Sequence, residues 1–186
     1  TFKQAVKQIN ELQPDFVVIC GDLVNVPNDG SYRDFNLIRK RITVPCHVSP
    51  GNHDIGNVPS DSSLRYYREI VGPDYYDFKH KNHTFMMVNT QLWKCNIPHE
   101  SLKHDHWFTQ TLTANKNNSS PNYVIGHYPF FTDSIDERES SSNLPLIKRI
   151  EVLEIMANNN VAAYLSGHAH RKLVHEFKNV QLLTGE

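Results

Sequence analysis

Hydrophobic positions along this chain recur in two ways, at helical spacing and in short unbroken runs. In the first dozen residues the apolar side chains lie three or four positions apart, which predicts an amphipathic helix ahead of a break at Pro14. These side chains are Phe2, Val6, Ile9 and Leu12. Residues 16–20, FVVIC, form an apolar run typical of strands that a parallel sheet buries on both faces. The chain is therefore expected to open with a helix followed by a strand.

The same alternation continues to the end of the chain. It predicts further helices at 32–41, 63–70, 102–112 and from 145 to about 156. It predicts further strands at 44–48, 75–78, 84–89, 123–125 and 161–165, and a final hairpin at 172–177 and 180–183. Helices that alternate with strands indicate an α/β fold, and no repeat or linker divides the sequence. One domain spanning residues 1–186 is therefore expected.

Composition narrows the class of protein further. The 186 residues are 39% hydrophobic and 21% charged, as in an ordinary globular domain. A net charge of −1 argues against a broad contact with nucleic acid or with an anionic membrane. No apolar run is long enough for a transmembrane helix. The three cysteines have no metal-type spacing and are interpreted as reduced thiols, which predicts a cytoplasmic location.

Four short blocks each follow an apolar run and carry side chains that bind metals or transfer protons. They are Gly21-Asp22, Gly51-Asn52-His53-Asp54, Gly126-His127 and Gly167-His168-Ala169-His170. Because ligands of open α/β sheets bind beyond the carboxyl ends of the strands, the blocks are expected to converge at one edge. Their donor groups are carboxylate, amide oxygen and imidazole without thiolate, a set that suits Mn, Fe or Zn.

In order and residue type, these blocks resemble the metal-ligand blocks of the calcineurin-like metallophosphoesterase superfamily. The similarity is closest to a branch of small serine/threonine phosphatases, in the regions 51–57, 72–76, 88–92 and 134–137. It implies an α/β/β/α sandwich of two mixed sheets flanked by helices. It also implies a metal-dependent phosphoester hydrolase, a phosphomonoesterase or serine/threonine protein phosphatase that uses a hydroxide bridging two divalent metal ions.

The resemblance assigns the metal ligands residue by residue. Asp22 would bridge the two ions, and His170 would bind the first of them. The second ion would be completed by Asn52, His127 and His168. The choice among Mn, Fe and Zn stays open.

The resemblance also assigns the group that transfers the proton. His53 would act as the general acid that protonates the leaving oxygen. Asn25 stands where the signature phosphoprotein phosphatases carry an aspartate, and it is a candidate supporting residue. Asp54 could orient His53 or cap a turn, and Tyr128 could line the pocket or only pack.

Two features of the superfamily are absent from this sequence. The opening Asp-x-His block is missing because the chain begins at Thr1, so the first ion keeps only Asp22 and His170. The fold is accordingly expected to lack its first strand, which leaves an exposed sheet position, and its C-terminal end. The Asp-Arg-Gly continuation, whose arginine contacts phosphate, is also missing. Two alternatives therefore stay open: a truncated, catalytically inactive metal- or partner-binding domain, and a phosphodiesterase on the same fold.

The remaining polar clusters are interpreted as structural. His104-Asp105-His106 is predicted to be the solvated start of a helix, since positions two apart do not share a face. Residues 133–143 are acidic and serine-rich, and they predict a mobile loop that could also border the substrate. The expected partners are a phosphorylated protein or a small phosphoester, with no nucleic acid and no membrane, and the oligomeric state stays open.

Overall fold

The computed structural model describes residues 1–185, in which seven helices alternate with eight strands. The helices are α1 (Phe2–Leu12), α2 (Asp29–Arg39), α3 (Asn52–Ile55), α4 (Asp61–Ile70), α5 (Gln91–Lys94), α6 (Glu100–Asn115) and α7 (Leu146–Ala157). The strands are β1 (Val17–Cys20), β2 (Cys46–Ser49), β3 (Tyr76–His80), β4 (His83–Met87), β5 (Asn122–Ile125), β6 (Val161–Ser166), β7 (Leu173–Phe177) and β8 (Val180–Thr184). The helices and strands predicted from the sequence are confirmed, with boundaries that differ by a few residues.

The strands form two sheets. Strands β1 and β2 pair in parallel as a small sheet, and within residues 1–185 β1 has no strand on its other edge. The second sheet has the order β3-β4-β5-β6-β8-β7. Its four central strands are parallel, and the edge strands β3 and β7 pair antiparallel with their neighbours. The prediction of an α/β fold with two sheets flanked by helices is confirmed.

Two apolar clusters hold helices against these sheets. The larger one packs α6 and α7 against the six-stranded sheet, through Phe108, Leu112, Val152 and Met156. The smaller one packs α2 and α4 against the two-stranded sheet, through Tyr32, Phe35, Leu64 and Tyr67. These side chains lie on the helices at spacings of three or four residues, which is the pattern that predicted them.

The short helices α3 and α5 were not predicted, because four residues are too few to show a helical period. Helix α2 begins three residues before its predicted start at Tyr32. The side chain of Asn28 accepts a hydrogen bond from the Ser31 N–H at 2.9 Å and so caps the helix there.

The prediction of a solvated helix start at His104 is wrong. His104 is fully buried in α6, with Phe108 and Leu112 on the same face. Its ring contacts Tyr75 and Trp93, with centroid distances of 4.9 Å and 5.2 Å. The sequence carries a signal for this burial, because His104 precedes these two apolar residues by four and eight positions.

Residues 133–143, predicted as a mobile loop, are held by hydrogen bonds within the segment and to Thr132. The carboxylate of Glu137 accepts hydrogen bonds from the main-chain N–H groups of Thr132 at 2.9 Å and Asp133 at 2.8 Å. Asn143 is buried and donates to the same carboxylate. The segment therefore has a defined conformation in the connection between the His127 turn and α7.

Among residues 1–185, no helix combines the length and the apolar character required to cross a membrane.

Candidate metal centre

Four turns that leave parallel strands carry the polar side chains of this centre. Asp22 follows β1, Asn52 follows β2, His127 follows β5 and His168 follows β6. The carboxyl ends of β1 and β2 share one edge of the small sheet, and those of β5 and β6 share one edge of the large sheet. The two edges face each other, so that residues far apart in sequence become neighbours.

The four side chains meet around one atom, the Nε2 nitrogen of His127. Three donor atoms surround it: Asn52 Oδ1 at 3.1 Å, His168 Nδ1 at 3.0 Å and Asp22 Oδ1 at 3.3 Å. The donor atoms of Asp22, His127 and His168 all lie within 4.8 Å of one another. His127 is almost fully buried, while the Asp22 and His168 side chains are half-buried. The centre is therefore partly accessible to solvent.

Main-chain carbonyls fix which ring nitrogens carry the protons. His127 Nδ1 lies 2.6 Å from the carbonyl oxygen of Cys20, and His168 Nε2 lies 2.9 Å from that of Ser141. A carbonyl oxygen only accepts hydrogen bonds, so these two nitrogens are the protonated ones. The nitrogens that face each other, His127 Nε2 and His168 Nδ1, consequently present lone pairs.

This arrangement fits a divalent cation. Two nitrogen atoms and two oxygen atoms converge, and each of them offers a lone pair. Neither nitrogen carries a proton, so neither can donate a hydrogen bond to the other atoms. A cation satisfies such a group, and imidazole, carboxylate and amide oxygen are suitable ligands for Mn, Fe or Zn. Burial lowers the pKa of His168, against the opposing effect of its hydrogen bond to the Ser141 carbonyl. A neutral imidazole is the form that binds a metal.

Gly51 allows two of the turns to touch. A Cβ atom at this position would lie 2.2 Å from Asp22 Oδ1 and 2.3 Å from the Asp22 main-chain nitrogen. Gly21 has a φ of +81°, and a Cβ there would lie 2.6 Å from His127 Nδ1. Only glycine leaves room for these contacts.

Asp54 joins the turns after β1 and β2. Its buried carboxylate accepts hydrogen bonds from the N–H groups of Gly51 at 2.7 Å, Leu23 at 3.2 Å and Val24 at 3.2 Å. Burial raises the pKa of Asp54 to about 6, and these three donors oppose the rise. Asp54 therefore acts on the centre through the main chain, and its carboxylate is used by these donors rather than by His53.

His53 lies at the exposed rim of the centre. Its main-chain N–H donates to Asp22 Oδ1 at 3.0 Å, and its ring Nδ1 lies 2.9 Å from the carbonyl oxygen of Asn25. The ring is thus oriented by the main chain of Asn25, whose own side chain is exposed. With Nδ1 donating to this carbonyl, Nε2 is the ring nitrogen that remains available for a further hydrogen bond.

Comparison with known proteins decides which family the chain belongs to. The profile of the family described as calcineurin-like phosphoesterase matches residues 1–172. The chain belongs to this family. The serine/threonine-protein phosphatase CPPED1 of Mus musculus is 31% identical over 193 residues, which is 97% of this chain and 62% of the mouse protein. The chain thus spans less than two thirds of the length of that relative.

Two solved structures that share this fold are described as proteins with different roles. A dimetal phosphatase from Danio rerio has a TM-score of 0.70 at 12% identity. The superposition covers 98% of this chain and 76% of the phosphatase chain. GAP50, described as the anchor in the inner membrane complex of Plasmodium, has a TM-score of 0.72 at 16% identity. The superposition covers 98% of this chain and 64% of the GAP50 chain. At these identities the likeness concerns the fold alone.

Tyr128 packs beside the converging side chains of the candidate centre. Its ring centroid lies 4.1 Å from that of His168, and its N–H donates to Thr90 Oγ1 at 3.1 Å. The Tyr164 hydroxyl donates to the Tyr128 carbonyl at 2.6 Å. Burial, with the nearby charge of Asp22, raises the pKa of Tyr128 to about 12, so its hydroxyl stays protonated. The residue both packs and borders the centre.

His170 lies apart from the converging group. Within residues 1–185, the set of donor atoms lying within 4.8 Å of one another comprises Asp22, His127 and His168 and does not include His170. His170 is exposed, and it lines a cavity of about 360 Å³ that also borders these three residues and Val18 of β1. Its role as a ligand of a first ion stays a prediction.

Several residues that shape the centre were not found from the sequence. The carbonyls of Cys20 and Ser141 belong to the main chain, and no side-chain pattern marks them. Glu137 and Arg149 organise the segment that carries Ser141. Arg149 did leave a signal, because it lies on the apolar face of α7, three residues before Val152.

Proposed function

We propose that this chain is a metal-dependent phosphoester hydrolase that acts on phosphomonoesters, with a serine/threonine phosphoprotein as the preferred substrate class. One observation carries the proposal: unprotonated ligand atoms of Asp22, Asn52, His127 and His168 converge at the ends of parallel strands. Membership of the calcineurin-like phosphoesterase family and similarity to the mouse phosphatase support the same reaction class.

The proposal assigns metal ligands to these residues. Asp22, Asn52, His127 and His168 would hold one ion, and Asp22 with His170 would contribute to a second. When bound, such ions supply Lewis-acid stabilisation of the phosphoryl oxygens and lower the pKa of water. Mn, Fe and Zn all suit this set of ligands.

His53 is the proposed general acid. Its Nδ1 donates to the Asn25 carbonyl at 2.9 Å, which orients the ring. In the imidazolium form, Nε2 carries the second proton, and this is the proton that would pass to the leaving oxygen. The bond from its N–H to Asp22 Oδ1, at 3.0 Å, keeps the ring beside the metal ligands. Asp54 fixes the turns that carry both residues through its hydrogen bonds to Gly51 and Leu23.

The test compares two chromogenic substrates. The protein is stripped of metal, reloaded with Mn²⁺ and assayed with para-nitrophenyl phosphate and with bis-para-nitrophenyl phosphate. Preferential hydrolysis of the monoester, abolished by metal removal, is the expected result. Preference for the diester would instead indicate a phosphodiesterase. If Mn²⁺ binds and neither substrate is cleaved, the chain is an inactive metal- or partner-binding domain.

The preference for serine/threonine phosphoproteins is tested with peptides. Phosphoserine and phosphothreonine peptides are expected to release phosphate faster than a phosphotyrosine peptide of the same sequence. Equal rates would contradict this part of the proposal and leave the hydrolase class intact.

A further inference from the structure

The segment from Thr132 to Leu144 reaches the metal centre through one main-chain atom. The carbonyl oxygen of Ser141 lies 2.9 Å from His168 Nε2. His168 Nδ1, the other ring nitrogen, lies 3.0 Å from His127 Nε2. The proton held on Nε2 by Ser141 is therefore what leaves Nδ1 free to bind a cation. The position of Ser141 thus determines the ligand form of His168.

Glu137 closes the segment onto its own first residues. Its carboxylate accepts N–H hydrogen bonds from Thr132 at 2.9 Å, Asp133 at 2.8 Å and Ser134 at 3.3 Å. It also accepts from the side-chain amide of Asn143. One carboxylate therefore joins the beginning of the segment to its end, on either side of Ser141.

Arg149 supports the same segment from α7. This residue is fully buried, and its guanidinium donates to the carbonyl oxygens of Ile135 at 2.5 Å, Glu137 at 3.2 Å and Leu144 at 2.8 Å. A buried guanidinium needs such acceptors, so the segment and the helix depend on each other.

Ser140, the residue before Ser141, is held by hydrogen bonds at both its carbonyl and its N–H group. Lys94 Nζ donates to the Ser140 carbonyl at 2.6 Å and contacts Glu139 Oε1 at 3.0 Å. The Ser140 N–H donates to Asn143 Oδ1 at 2.9 Å. Ser141 is itself exposed, and its orientation is set by these contacts with its neighbours.

We propose that Glu137 is a positioning residue for the metal centre, which holds the Ser141 carbonyl where it keeps His168 protonated on Nε2 and free on Nδ1. Glu137 does not touch the centre itself and acts through Asn143, Ser140 and Ser141. The inference rests on the proposed function only in that the centre binds a metal. It adds a determinant of metal affinity that lies outside the four sequence blocks.

A matched pair of substitutions tests this role. Glu137→Gln keeps the size of the side chain, but its amide turns a donor toward main-chain N–H groups. Asp136→Asn changes the neighbouring carboxylate, which is exposed and bonds only locally, to Ser134 Oγ at 2.7 Å. A third variant, Lys94→Met, removes the hydrogen bond to the Ser140 carbonyl and leaves Glu137 unchanged. It replaces Glu137→Gln as the test if that variant does not fold.

Two readouts are measured on folded protein. Mn²⁺ affinity is measured by calorimetry, and the protonated ring nitrogen of His168 is identified by ¹⁵N NMR of the metal-free protein. We expect Glu137→Gln to bind Mn²⁺ about 10–100-fold more weakly, as is usual when support of a ligand is lost. We also expect its His168 signals to shift from a single Nε2–H form to a mixture. Lys94→Met should change both in the same direction, and Asp136→Asn should change neither.

Unchanged Mn²⁺ affinity and an unchanged His168 tautomer in both Glu137→Gln and Lys94→Met would overturn the inference. An equal loss of affinity in Asp136→Asn would also overturn it, because the effect would then be one of general charge. Wild-type protein that binds Mn²⁺ and cleaves no phosphoester would overturn the proposed function, while the affinities and tautomers would still decide the role of Glu137.

Discussion

His127 Nδ1 lies 2.6 Å from the carbonyl oxygen of Cys20, a residue 107 positions earlier in the chain. Cys20 is the last residue of β1 in the small sheet, and His127 follows β5 in the large sheet. This single hydrogen bond therefore joins the two sheets and, at the same time, exposes the lone pair of His127 Nε2 toward Asp22. The tautomer of His127, a proposed metal ligand, therefore depends on how the two sheets pack.

Replacement of Asp22 by asparagine tests the carboxylate at the centre. Asp22→Asn can still accept the His53 N–H, which lies 3.0 Å away, but it removes the negative charge that a cation requires. Since loss of supporting residues alone weakens metal binding about 10–100-fold, loss of this ligand should weaken it at least about 100-fold. Hydrolysis should disappear with the metal. Both are measured by calorimetry and by assay with Mn²⁺.

Asp34→Asn is the control for this experiment. Asp34 lies on α2 with a largely exposed side chain, and its nearby charge is Arg33 at 3.7 Å. It should bind Mn²⁺ as wild type does. Full metal binding by Asp22→Asn would show that Asp22 is not a ligand.

Replacement of His53 by alanine separates proton transfer from metal binding. The variant should lose about 10²–10⁴-fold in kcat, the usual contribution of a general acid, and should keep its metal. Metal content and kcat are measured on the same sample. His106→Ala, at an exposed histidine of α6, should keep wild-type kcat. An active His53→Ala variant would mean that another group protonates the leaving oxygen.

Much of this centre could be predicted because it lies at strand ends. Each ligand block follows an apolar run, and the carboxyl ends of parallel strands meet at the same edge of a sheet. Asp22 and His168 are 146 residues apart in the sequence. Their positions directly after parallel strands were nevertheless sufficient to predict that they lie close together. The amphipathic helices were predictable for a similar reason, since their buried faces repeat locally.

The remaining contacts depend on tertiary structure. The carbonyls of Cys20 and Ser141 act as main-chain groups, so their residue types carry no signal. Asp54 was expected to orient His53 or to cap a turn, and the structure has it capping the turn at Gly51. Its second contact, with the Val24 N–H in the turn after β1, depends on tertiary structure. The burial of His104 follows from its spacing of four residues to Phe108, and its spacing of two residues to His106, on which the prediction rested, carries no information about it.

Gly51→Ala tests the close approach of the turns. The added Cβ would lie 2.2 Å from Asp22 Oδ1, so the turn after β2 must move away from Asp22. Such overpacking should lower the free energy of unfolding by about 1–3 kcal/mol and weaken Mn²⁺ binding. Urea unfolding and calorimetry measure the two effects.

Gly30→Ala provides the matched control. Gly30 lies in α2, where the nearest atom to an added Cβ is Asn28 Oδ1 at 3.3 Å, so this capping side chain has to move by only a few tenths of an ångström. Alanine favours a helix over glycine by up to about 1 kcal/mol, so stability should be kept or raised. If both variants behave alike, the contact between Gly51 and Asp22 is not what restricts residue 51.

His104 should make the stability of the fold depend on pH. Burial, together with the positive charge of Lys148, lowers the pKa of His104 to about 3. Its Nε2 accepts the Asn89 N–H at 3.3 Å, as a neutral ring can. In the unfolded chain the pKa returns to about 6.5. Between pH 6.5 and 3 the unfolded state therefore binds the extra proton, so this contribution to stability is complete above pH 6.5 and falls as the pH is lowered.

His104→Leu should remove this slope. Urea unfolding of wild type between pH 6 and 4 should lose up to about 1.4 kcal/mol per pH unit through His104, in addition to the effects of other groups. His104→Leu deprives the Asn89 N–H of its acceptor, so its stability at pH 8 can change, and the slopes rather than the absolute values are compared. His106→Leu, the same substitution at an exposed histidine of α6, should keep the wild-type slope. A wild-type slope in His104→Leu would mean that His104 is protonated in the folded protein and pairs with Asp105, 4.0 Å away.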